Sequence, residues 1–151
     1  PYKRLVSIPV LTELLASGRL CYHKDTSLHI DQVKAKIQTG AGMRFGVYDA
    51  YVVHAKDSLA AGSMGLSCIQ GNFFPDLLAD FSLRPSEDFQ AFLTENMELM
   101  LSAYPTSAKY VLQKQGFPIS LATRRKVDPL TESLKAKLDE LVTSASLYRS
   151  P

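Results

Sequence analysis

The chain has little cysteine, little net charge and no long apolar run. Its two cysteines, Cys21 and Cys68, lie far apart inside apolar stretches, with no metal-ligand pattern around either. Free buried thiols in a reducing compartment, the cytoplasm, are the simplest account of them. No apolar run approaches the roughly 20 residues a membrane-spanning helix needs, and no signal-peptide pattern opens the chain, so no membrane partner is expected. The formal net charge is only +2, and the basic residues are scattered apart from Arg124-Arg125-Lys126. Nucleic-acid binding needs a basic stripe, so that class of partner is not expected either. Low-complexity segments are missing as well.

What remains is ordinary for a soluble globular chain: 151 residues, 46% of them hydrophobic and 21% charged, which implies one domain with a sizeable core. The first residue is Pro1 rather than methionine, so a processed chain or a piece of a longer product is expected.

The chain is organised around Arg19-Leu20-Cys21-Tyr22-His23-Lys24-Asp25-Thr26-Ser27, where a short apolar run meets a cluster of helix-capping residues. The pattern predicts a strand over Leu20 to Lys24, with Asp25, Thr26 and Ser27 as candidate caps of the next helix. Strand side chains alternate, so Leu20, Tyr22 and Lys24 share one face while Cys21 and His23 share the other. Lys24 then ends its strand at the edge where parallel α/β folds keep their chemistry. Two readings are open. Lys24 is a strand-end lysine paired with a carboxylate, or it faces a closed interior, where lost hydration disfavours the ammonium form and leaves an amine able to condense with a ketone.

The flanking pattern is βα. Val10, Leu11, Leu14 and Leu15 recur at helical spacing between Pro9 and Gly18, and Ile30, Val33 and Ile37 do so before Gly40. Met43 to Val47 reads as a second strand, Ala50 to Ala61 as a helix closed by Gly62, and Gly65 to Gly71 as a third strand. Strands recurring about every 20 to 23 residues, each followed by a helix, give the rhythm of a parallel sheet. Beyond Pro75 only helices are expected: Asp76 to Phe81, a long one from the Pro85-Ser86 cap to Tyr104, one from Pro105-Thr106 to Gly116, and one after Pro129 through Val142. The tail after that is expected to fray. The stripe of Phe89, Phe92, Leu93, Met97, Met100, Leu101 and Tyr104 is read as core rather than as a cofactor or partner groove. The expected division is residues 1–82 as a partial barrel and 83–151 as a helical region.

Three segments in order carry a family resemblance: Lys24-Asp25-Thr26-Ser27, then Phe45-Gly46-Val47-Tyr48-Asp49, then Ala61-Gly62-Ser63-Met64-Gly65-Leu66-Ser67-Cys68-Ile69-Gln70-Gly71-Asn72. With Tyr104-Pro105, Ala108-Lys109 and Gly116-Phe117-Pro118 behind them, they resemble the second half of the pyruvate-dependent class I aldolase family, which includes dihydrodipicolinate synthase and N-acetylneuraminate lyase. The resemblance implies an α/β fold, the C-terminal part of a TIM (β/α)8 barrel (strands six to eight) followed by a helical region. It implies a Schiff-base lyase or synthase acting on pyruvate or another 2-keto acid together with an aldehyde, without metal or organic cofactor. Lys24 takes the place of the imine-forming lysine. Ser67 takes the position whose backbone carbonyl lies by the imine, and Ile69, two residues on, is expected to share its face and shape access. Asp49 either contacts substrate hydroxyls or caps its helix, and Asn72 is a substrate-side residue or a loop anchor.

The chain departs from the family at three points. The family's general-acid tyrosine and its carboxylate-binding segment belong to strands that would precede Pro1. Tyr22 stands where glycine is common, narrowing the pocket or bringing a phenol near the imine. Gly46 is offset by one residue from the family's strand-seven glycine. Lys3 or Arg4 falls near the place of a basic substrate-binding residue. Half a barrel exposes two sheet edges, so the resemblance implies a homo-oligomer or a missing N-terminal half-barrel as partner. The alternative reading is a non-catalytic 2-keto-acid-binding or oligomerisation fragment.

Overall fold

The structure is a computed structural model, and it describes residues 4–149. It divides into two compact units, Pro1–Cys68 and Ile69–Pro151.

The first unit alternates helix and strand: α1 (Ile8–Ala16), β1 (Tyr22–Asp25), α2 (Ile30–Thr39), β2 (Gly46–Asp49), a 3-10 turn at Val52–His54, α3 (Ala55–Ala60) and β3 (Gly65–Leu66). The strands form one parallel sheet in the order β1-β2-β3. Pro9 sits in the first turn of α1, and Gly18, at φ +68°, takes the left-handed conformation just past its end. Leu11 and Val33 are fully buried, and Val47 and Val52 nearly so, which makes them the apolar filling of this unit.

The first two strands are displaced toward their C-terminal sides relative to the sequence expectation, and for β1 the reason is polar. Asp25 was expected to cap α2. Instead it stays in β1, buried, with its carboxylate accepting from Ser27 N at 2.7 Å, Ser27 Oγ at 2.6 Å and Lys36 Nζ at 2.5 Å. The cap position of α2 falls to His29, which makes no side-chain cap bond. β2 likewise runs on to Asp49, and Met43 lies outside it. β3 ends at Leu66 rather than continuing to Gly71, because Ile69–Asn72 winds into a 3-10 turn with Gln70 buried.

The second unit holds that turn and five helices: α4 (Pro75–Leu83), α5 (Glu87–Glu95), α6 (Met97–Leu101), α7 (Thr106–Lys114) and α8 (Glu132–Ala145). Ser86 caps α5 as its sequence predicts, accepting from Phe89 N, with Glu87 and Asp88 in the first turn. The single long helix expected up to Tyr104 is two. Asn96 separates α5 from α6, its side-chain amide donating to Phe92 O at 2.8 Å in competition with the backbone ladder. The start of α8 is set by Thr131, whose hydroxyl accepts from Leu134 N, rather than by Pro129. Of the stripe on α5 and α6, Phe89, Phe92, Leu93 and Met100 are buried core, Met97 is half-buried and Leu101 is exposed. α4 packs into this unit through Phe81 on Phe89, 5.5 Å between ring centroids. The tail is held as far as Arg149, and its last two residues, Ser150 and Pro151, lie outside the described residues. Tyr148 lies 5.1 and 5.0 Å from the rings of Phe89 and Phe92, and Arg149 Nε reaches Asp76 at 2.7 Å. That guanidinium holds the Asp76 carboxyl below its usual range.

Candidate active site

The strand register decides which residues meet. Lys24 pairs with Tyr48, and Tyr48 with Gly65, in one row across the sheet; Asp25, Asp49 and Leu66 form the next row. Alternation puts these rows on opposite faces. Lys36 of α2 reaches Asp25, so the Asp25 row is the helix-covered face and the Lys24 row faces away from the helices.

On the covered face the charges are consumed locally. Lys36 and Asp25 are each 1% exposed, and His23 Nε2 lies 3.8 Å from the same carboxylate. Burial pushes the Asp25 carboxyl up, but nearby His23 and the hydrogen bonds from Lys36 and Ser27 outweigh it and hold the group well below the ordinary carboxylate range. One strand over, Asp49 Oδ1 accepts from Tyr51 N at 3.0 Å, and its Oδ2 lies 2.9 Å from His54 Nε2. Asp49 is buried on the face away from Lys24. Its bond from Tyr51 N, two residues on, closes an Asx turn ahead of the 3-10 turn, whose N-cap position belongs to Tyr51.

On the open face Lys24 is exposed, at the C-terminal end of a parallel strand. No described residue removes it from water, so the closed interior expected around it is not formed by this unit. Tyr22, two residues earlier on the same face, is 60% exposed, and its ring meets that of Tyr48 edge-on with centroids 6.0 Å apart. Ser67 continues the edge of β3, its N–H donating to Asp49 O at 2.6 Å. Ile69 opens the 3-10 turn and belongs to the second unit, so strand alternation does not carry from Ser67 to it. Asn72 donates to Tyr104 Oη at 2.9 Å, the geometry of a loop anchor. Arg4 is exposed, and Lys3 lies outside the described residues.

The structure therefore brings together Lys24, Tyr22 and Tyr48, and sets Asp49 apart. Tyr48 was missed as a site residue. The signal for it was the alternation itself, which reveals it once β2 is known to end at Asp49. No helix among the described residues is long and apolar enough to cross a membrane.

A parallel sheet built from βα units, with polar side chains at the carboxyl ends of its strands, defines an α/β protein. The solved structures that match are TIM-barrel enzymes of the dihydrodipicolinate synthase family. The prophage protein YagE of that family from Escherichia coli K12, solved in complex with pyruvate, matches with a TM-score of 0.76 at 23% identity, over 94% of this chain and 52% of its own. Dihydrodipicolinate synthase DapA-2 from Bacillus anthracis gives 0.74 at 21%, over 93% and 50%. The synthase from Thermotoga maritima gives 0.71 at 21%, over 93% and 51%. The chain thus has the fold of about half of these proteins, consistent with the C-terminal half that its segments resemble. No family model and no curated protein sequence matches it.

Proposed function

We propose that the chain carries the imine-forming part of a class I aldolase or lyase acting on pyruvate or another 2-keto acid, with Lys24 as the nucleophile. The observation that carries this reading is the place of Lys24: the carboxyl end of a parallel strand, on the face turned from the helices, in a fold shared with that enzyme family. An amine there condenses with the C2 carbonyl, and the imine then acts as an electron sink for making or breaking the adjacent carbon–carbon bond with an aldehyde. Tyr22 and Ser67 lie on the same sheet and supply candidate contacts. Ile69 is retained from the resemblance alone.

The chain spans about half the length of its structural matches, and its open face carries exposed Tyr22, Met43 and Met64. Parallel sheets are ordinarily covered on both faces. Full turnover therefore calls for a covering partner, a complementary half-barrel or a second copy, that removes water from Lys24. The exposure of Lys24 equally favours a second reading, a 2-keto-acid binder without turnover. Incubation with pyruvate, reduction by borohydride and mass spectrometry are expected to find label on Lys24 in preference to the other lysines. A folded sample with no such adduct counts against both readings, and an aldol-cleavage assay separates catalyst from binder.

A further inference from the structure

We propose that Tyr48 is the acid–base group that works with Lys24, an assignment that rests on the Schiff-base reading above. The two residues are register partners on adjacent parallel strands and leave the sheet on the same face. Neighbouring strands lie about 4.8 Å apart, so both long side chains rise from bases close enough for their polar ends to serve one bound molecule. The next residue in the row is Gly65, where an added Cβ would lie 3.1 Å from Tyr48 Cε1. A side chain there would press on the phenol ring, and the glycine leaves it room. Tyr22 supports the ring from the other side, edge-on.

The carboxylates on the covered face at this end of the sheet are spoken for. Asp25 is held by Lys36 and Ser27, and Asp49 by Tyr51 N and His54, all on the covered face. Lys24 Nζ and Tyr48 Oη have no hydrogen-bond partner among the described residues. Of the ionisable groups on the open face, Tyr22 pairs with Gly46 two residues back from Lys24, whereas Lys24 and Tyr48 stand side by side in one row.

The chemistry balances with these two groups alone. Attack of the amine on C2 of the keto acid, with one N–H proton moving to oxygen, gives a neutral carbinolamine. The Tyr48 phenol gives its proton to that hydroxyl as the C2–O bond breaks, leaving water, a protonated imine and a phenolate. The phenolate then takes a proton from C3. The C–H pair becomes the C2–C3 double bond of an enamine, the imine pair returns to nitrogen, and the phenol is restored.

The test uses the 151-residue chain with pyruvate in D2O, reading loss of the methyl proton signal by NMR and borohydride-trapped adduct on Lys24 by mass spectrometry. The unsubstituted chain is expected to show both. Tyr48→Phe keeps the ring and its packing, and is expected to slow both by about tenfold or more. Tyr110→Phe, on α7 in the other unit, is expected to match the unsubstituted chain. Gly65→Ala displaces the ring while keeping the hydroxyl, and is expected to slow both rates by a few-fold. If Lys24 is labelled and Tyr48→Phe matches in both rates, Tyr48 has no part and the role of Lys24 survives. If the unsubstituted chain leaves Lys24 unlabelled, the Schiff-base reading fails and the assignment of Tyr48 fails with it.

Discussion

Lys36 Nζ meets Asp25 Oδ2 at 2.5 Å between α2 and β1, both side chains sealed from water, while Lys24, one residue before Asp25, points to the opposite face and is exposed. Two lysines within a single βα unit thus have opposite fates. One is spent on holding a helix to the sheet, and the other is left in solvent.

Removing one partner of the buried pair strands the other. Lys36→Met is expected to cost about 3–5 kcal/mol in urea unfolding, because it leaves the Asp25 charge uncompensated in a dry site. Replacing both residues, Asp25→Leu with Lys36→Met, is expected to recover much of that loss.

The same carboxylate makes stability fall in acid. Its folded-state pKa is depressed, so its contribution is complete above the ordinary carboxylate value of about 3.9 and is lost as pH falls below it toward the lowered folded value. Urea midpoints measured from pH 6 downward are expected to drop across that range. In Asp25→Asn the acid slope is expected to be shallower.

Lys24 should be dispensable for folding. Lys24→Met is expected to stay within about 0.5 kcal/mol of the unsubstituted chain in urea unfolding, as befits an exposed side chain with no ion pair among the described residues. The same substitution is expected to abolish the borohydride adduct, whereas loss of adduct together with loss of fold would point to a structural role.

Two glycines should respond differently to an added methyl. At Gly40 a Cβ would fall 2.2 Å from the Phe45 ring, a rigid neighbour, so Gly40→Ala is expected to cost about 1–3 kcal/mol. At Gly46 the obstacle is the end of the exposed Met64 side chain, which swings away at little cost, so Gly46→Ala is expected to leave the unfolding midpoint nearly unchanged.

The capping of α5 gives a further comparison. Ser86→Ala removes a side-chain bond to Phe89 N and is expected to cost about 1 kcal/mol, while Ser7→Ala before α1, where no such bond exists, is expected to cost little.

Periodicity and punctuation carried most of the fold. The βα alternation, Gly18 after α1, Ser86 before α5 and the core stripe from Phe89 to Met100 follow from local rules that a single chain obeys wherever it sits. Lys24 at a strand end was legible for the same reason. The break at Asn96 was not, since an amide that bonds Phe92 O differs from a solvated one only in context. The roles of Asp25 and Asp49 were likewise hidden: Asp25 beside Thr26 and Ser27 reads as a candidate helix cap, and Asp49 as a cap or a substrate contact, until Lys36 and His54 are brought to them. Sequence by itself thus determined which segments are helix or strand and which amine ends a strand. Only the tertiary structure decided the faces, because a shift of a residue or two in a strand's limits, fixed by partners distant along the chain, selects whether Tyr48 or Asp49 stands in the row of Lys24.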